Sequence, residues 1–187
     1  MILASASPRR RMLLRAMGVP FRVRVARVEE LDDVRMSPPR LVKANARLKA
    51  ESVASTAGRD IVIGADTIVV LGSARFGKPR DVRHARLMLR RLSGRTHHVY
   101  TGVCILDRRR GRRYLDVART SVTMRRLSAR QIERYLRGWA PWDKAGAYAV
   151  QDVHGMLIDR VRGSLSNVVG LPLELVARRL RQCGVRV

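Results

Sequence analysis

The chain has 187 residues, 46% of them hydrophobic, which suits one domain spanning residues 1–187 around a substantial core. No apolar run approaches the roughly 18 residues of a membrane span, no signal-like stretch opens the chain, and Cys104 and Cys183 lack the spacing of a disulfide framework or zinc site, so a cytoplasmic, non-membrane protein is expected. The 39 Lys+Arg against 15 Asp+Glu give a net charge of +24 that raises nucleic acid as a partner, but the excess is scattered arginine, the pattern of solvated faces.

Residues 2–4 read as a short buried strand. It feeds a helix that Ser7 caps and Pro8 opens, with Met12, Leu13, Leu14 and Met17 on its apolar face and Gly18 and Pro20 at its close. Alternation of Phe21, Val23 and Val25 with Arg22 and Arg24 predicts a half-exposed strand over 21–28, ended by Glu29 and Glu30. Apolar residues at Leu41, Ala44 and Leu48, with no interior Gly or Pro, predict a long helix over 40–57. Residues 61–70 form a β-branched run interrupted by Gly64-Ala65-Asp66-Thr67, which plants a carboxylate inside a central strand. A helix over 81–92 follows, then strands over 97–106 and 114–124 and a helix from the Ser128/Gln131 capping box to Gly138. Short strands at 147–150 and 156–161 and a last helix from Pro172 complete a mixed α/β chain without repeats.

Three places carry chemistry. Ser5-Ala6-Ser7-Pro8-Arg9-Arg10 puts hydroxyls, a helix start and two guanidiniums together, which is either an anion site or an ordinary capped helix with surface arginines. Asp66 in Gly64-Ala65-Asp66-Thr67 either binds a hard cation and orients water or is satisfied by nearby backbone N–H groups. Glu29 and Glu30 are candidates for a second carboxylate on the same metal. Lysine occurs only at Lys43, Lys49, Lys78 and Lys144; Lys78, between Gly77 and Pro79, is either a solvated loop cation or a compact charge held for phosphate, and Lys49 invites the same argument.

The segments Leu3-Ala4-Ser5-Ala6-Ser7-Pro8-Arg9-Arg10, Gly64-Ala65-Asp66-Thr67, Gly77-Lys78-Pro79, Leu92-Ser93-Gly94-Arg95-Thr96-His97, Lys144-Ala145-Gly146-Ala147-Tyr148 and Val169-Gly170-Leu171-Pro172-Leu173 together resemble the Maf family of nucleotide pyrophosphatases, in family order over essentially the whole chain. The resemblance implies an α/β fold with a mixed, elongated, curved sheet, flanking helices and a central cleft, like the inosine triphosphate pyrophosphatases, and a homodimer. It implies that Asp66 takes a proton from the attacking water, that Glu30 is a second essential acid, and that Ser7, Arg9, Lys49 and Lys78 contact the triphosphate, Lys78 also counting among the catalytic groups. Arg10, Thr67 and Gln151 match the marks of the branch acting on dTTP and UTP. The branch that prefers 7-methyl-GTP usually differs at Arg9, Ala65-Asp66-Thr67 and Lys144-Ala145-Gly146. Leu165-Ser166 departs from the aromatic and His of many members.

The expected reaction is attack of water on the α-phosphorus of dTTP, UTP or a modified pyrimidine nucleotide, with a divalent cation, Mg or Mn, held by Asp66 and Glu30. The alternatives are a basic nucleic-acid-binding protein, with Arg108-Arg109-Arg110-Gly111-Arg112-Arg113 as its best contact, and a septum-regulating protein with secondary nucleotide binding. With 4% aromatics and no DNA-binding motif, nucleic acid is expected only as weak, charge-driven binding. His97 and His98 read as structural; Tyr148 and Trp142 either line a base pocket or fill the core.

Overall fold

The computed structural model describes residues 1–139, 142–150 and 157–187. Its elements are β1 (Ile2–Leu3), α1 (Pro8–Ala16), β2 (Arg22–Val23), α2 (Pro38–Ala54), β3 (Ile61–Leu71), β4 (Ala74–Phe76), α3 (Val82–Leu92), β5 (Thr96–Asp107), β6 (Arg112–Met124), α4 (Ala129–Gly138), a 3-10 turn (Ala145–Ala147), β7 (Ile158–Arg162), α5 (Leu165–Val169) and α6 (Leu173–Gln182). The strands form one sheet ordered β2-β1-β3-β5-β6-β7, with β4 paired to β3. It is mixed: β1 runs parallel to β2 and β3, whereas β4 and β7 run antiparallel to β3 and β6. The α/β class expected from the sequence is the class observed. The chain divides into two compact units, Met1–Asp66 with Thr101–Ala118 and Gly170–Val187, and Thr67–Tyr100 with Arg119–Val169.

In the first unit β3 explains why its sequence is a nearly unbroken apolar run. Ile61, Ile63 and Ala65 point into a cluster with Leu14 of α1 and Val176 and Leu180 of α6, while Val62 points the other way, onto Ala46, Ala50 and Val53 of α2. A strand covered on both faces needs apolar residues at odd and even positions alike. In the second unit one cluster joins Val69, Val99, Val122 and Met124 of the strands to Ala85, Met88, Leu89 and Leu92 of α3 and Ile132 and Tyr135 of α4. Ser128 and Gln131 form the expected capping box at the start of α4.

Several elements differ from their sequence signal. The strand expected over 21–28 shrinks to β2, because β1 ends at Leu3 and offers no further neighbour beyond the bond from Arg24 N–H to the Leu3 carbonyl (3.1 Å). Residues 147–150 are not a strand. The 3-10 turn there holds Gly146 at φ 74° and Ala147 at φ 61°, left-handed values that break extended pairing. The helix expected over 40–57 begins earlier, at Pro38, whose fixed φ suits a first helical turn. The short β4 and α5 gave too few residues for a periodic signal.

Candidate active site

The site grows from the packing of α2 on the sheet. A Cβ built on Gly64 would lie 2.2 Å from the Ala46 carbonyl oxygen and 2.9 Å from the Ala50 Cβ, and one on Gly102 would lie 2.2 Å from the Val42 carbonyl oxygen. Only glycine lets the helix backbone approach β3 and β5 this closely. Residues two apart on a strand share a face, so the face that meets α2 at Gly64 also projects Asp66 toward that helix. One helical turn separates Asn45 from Lys49, and both turn inward.

Asp66, itself buried, receives the Lys49 ammonium on Oδ1 (2.7 Å) and the Asn45 amide on Oδ2 (3.3 Å). The same ammonium lies 2.9 Å from Oε1 of the half-exposed Glu30. Two carboxylates thus converge on one cationic nitrogen. Asn45 also fixes the chain beside Glu30: its Oδ1 accepts from the Leu31 N–H (2.8 Å) and its Nδ2 donates to the Leu31 carbonyl (3.0 Å).

The first turn of α1 adds hydroxyls and guanidiniums. Ser7 Oγ accepts from the Arg10 N–H (3.4 Å), so Ser7 caps the helix while keeping its own O–H as a donor. Ser5 Oγ in turn accepts from the Ser7 N–H (3.2 Å). Arg10 binds protein on three sides: Nη1 donates to the Ala65 carbonyl (2.8 Å) and to Ser5 Oγ (3.3 Å), and Nε donates to the Gly170 carbonyl (2.8 Å). Burial pulls its pKa below the ordinary value, while Asp66 and Glu30 oppose that shift and Arg9 adds to it. Those influences place Arg9, Arg10, Asp66 and Glu30 within electrostatic reach of one another.

Of the residues singled out from sequence, the first unit therefore gathers Ser7, Arg9, Arg10, Glu30, Lys49 and Asp66. Thr67, the next residue on β3, is half-buried and belongs to the second unit, as does Lys78, exposed in a loop whose Gly77 carbonyl accepts from the Gly146 N–H (3.0 Å). Gln151 lies outside the described residues. Asn45 was missed; it shares the buried stripe of α2 with Lys49, a short polar side chain whose partners the sequence does not disclose. His97 is structural: wholly buried, its Nε2 lies 2.6 Å from the Tyr148 hydroxyl. Trp142 is exposed and does not fill the core.

The donors suit a hard divalent cation. Asp66 and Glu30 present carboxylate oxygens at a point where a positive charge, the Lys49 ammonium, already sits. A hard divalent cation can be held by one or two carboxylates, with water and substrate phosphates as its remaining ligands.

Residues 1–183 match the family model described as Maf-like protein. The chain is 44% identical over 186 residues to a protein of Desulforamulus reducens named dTTP/UTP pyrophosphatase, covering 100% of this chain and 97% of that relative. Proteins of Moorella thermoacetica and Akkermansia muciniphila bearing the same name are 44% and 46% identical, over 100% and 99% of this chain and 96% and 97% of the relatives. With the segment order, the α/β sheet and the full-length match in agreement, this chain belongs to the Maf family.

Proposed function

We propose that this protein is a nucleoside triphosphate pyrophosphatase that hydrolyses dTTP and UTP to the monophosphate and pyrophosphate. The observation that carries the reading is the convergence of Asp66 and Glu30 on the Lys49 ammonium beside the capped start of α1. The names of the full-length relatives support the choice of substrate. Asp66 accepts a proton from the water that attacks the α-phosphorus. Ser7, Arg9 and Lys49 hold triphosphate oxygens, and Lys78 adds a further cation as pyrophosphate leaves. Arg10, Thr67 and Gln151 favour the pyrimidine substrate. Asp66 and Glu30 would hold a divalent cation, Mg²⁺ or Mn²⁺, which supplies charge neutralisation at phosphate oxygens. The protein acts as a homodimer in the cytoplasm, with all 187 residues in one functional domain.

The decisive experiment is release of monophosphate and pyrophosphate from a panel of triphosphates with Mg²⁺ or Mn²⁺. Turnover of dTTP and UTP should stop on chelation. It should fall by about 10²- to 10⁴-fold in Asp66→Asn, with a much smaller change in KM. A rate within a small factor of wild type would remove Asp66 from the reaction. No turnover of any nucleotide would sink the whole reading.

A further inference from the structure

The second unit collects positive charge on two packed helices. α3 carries Arg83, Arg86, Arg90 and Arg91 with no acid, and α4 carries Arg130, Arg134 and Arg137 with Glu133 alone. Ala85, Met88, Leu89 and Leu92 of α3 and Ile132 and Tyr135 of α4 are spent in the core, and every one of these arginines except Arg86 is exposed. Arg86 donates to both oxygens of Glu133, and its hydrogen bonds, helped by the charges of Arg137 and Arg90, hold that carboxyl below its usual range. The Arg86–Glu133 contact ties the two helices together along one edge, and helical spacing puts Arg83 and Arg90 on the Arg86 side of α3 and Arg130 and Arg137 on the Glu133 side of α4, with Arg134 one turn from Arg130. Arg83, Arg130 and Arg134 have no carboxylate partner among the described residues. Like charges at this density repel and add nothing to the fold, whereas guanidiniums spaced along helices suit a chain of phosphates.

A second observation lies at the end of the same row. Trp139, the C-cap of α4, is 43% exposed. A large ring left in water beside arginines is a platform for an unpaired base. No helix among the described residues is long and apolar enough to cross a membrane, and the exposed apolar residues of α3, Val82 and Leu87, stand among arginines and form no continuous apolar side.

We propose that the α3–α4 face docks single-stranded nucleic acid: its arginines bind the phosphate backbone and Trp139 stacks a base, without sequence preference. The inference is independent of the nucleotide hydrolysis proposed above. It is tested on the whole protein by fluorescence anisotropy with a labelled single strand of mixed sequence. Arg83→Gln/Arg130→Gln/Arg134→Gln is compared with Arg59→Gln/Arg108→Gln/Arg112→Gln, which removes the same charge from the first unit. The first variant should lower the slope of log affinity against log salt by about 2, since each lost contact to a single strand contributes about 0.7. It should also weaken binding about tenfold, while the second variant stays within about twofold of wild type. Equal losses in both variants would overturn the proposal, and so would equal binding of a duplex or of phosphatidylserine vesicles. A measurement that needs no variant uses the fact that the chain has only two tryptophans, Trp139 and Trp142. Their emission should be quenched as an unlabelled oligothymidylate saturates the protein, and unchanged emission at saturation would refute the stacking.

Discussion

Lys49 shows how a single residue acquires a meaning that its position in the chain does not announce. Its side chain is 11% exposed and bridges Asp66 and Glu30, so removing it strands a buried carboxylate. Breaking such a pair by deleting one partner costs about 3–5 kcal/mol, and half-exposed Glu30 will recover some of its share from water. Lys49→Met is accordingly expected to destabilise the protein by about 3 kcal/mol at neutral pH, read from urea denaturation. An unchanged midpoint would mean that the ion pair contributes nothing. The carboxylate was legible in the sequence because nothing in a central strand calls for a charge. The amide of Asn45 was not, because a lone polar residue on a helix gives no sign of what it faces. Arg10 stands between the two: its place after a helix cap suggested an anion contact, while its three bonds to Ala65, Ser5 and Gly170 also make it a tie between segments distant in sequence.

Among the elements, the seating of α2 decides where Lys49 and Asn45 point. Gly102→Ala would drive a methyl group against the Val42 carbonyl, a backbone atom that cannot move alone. The expected cost is about 1–3 kcal/mol or more, together with a fall in nucleotide turnover as the helix shifts. Gly138→Ala, at the end of α4 with nothing within 4 Å of the added carbon, should change stability by less than about 0.5 kcal/mol. Thermal melts of the pair check both, and similar losses would mean that the close approach of α2 is not limiting. The sequence marked α4 well, through its capping box, and β3, through its β-branched run. It overstated the strand at 21–28 because alternation reports side-chain polarity and says nothing about whether a neighbouring strand is there to pair.

At the scale of the whole molecule, acid tests the second unit through His97. Burial holds its pKa down to about 4, so the folded protein keeps it neutral while the unfolded chain protonates near 6.5. Stability from this group is complete above the unfolded value and is lost as pH falls from about 6.5 to about 4, a decline of about 3 kcal/mol. The melting temperature should drop across that window in wild type and much less in His97→Gln; parallel curves would exclude His97 as the cause. What the sequence determined by itself was local or contiguous: the period of each long helix and strand, the cap of α1, the carboxylate in β3 and the ordered segments that mark the Maf family. The tertiary structure alone decided that Asn45, Lys49, Glu30 and Asp66 meet, that Arg10 reaches Ala65 and Gly170, and that Arg86 of α3 binds Glu133 of α4. The reason is physical: periodicity and capping are written within a turn or two of chain, whereas the convergence of side chains depends on how closely two backbones pack. That distance was set here by what a pair of glycines leaves out.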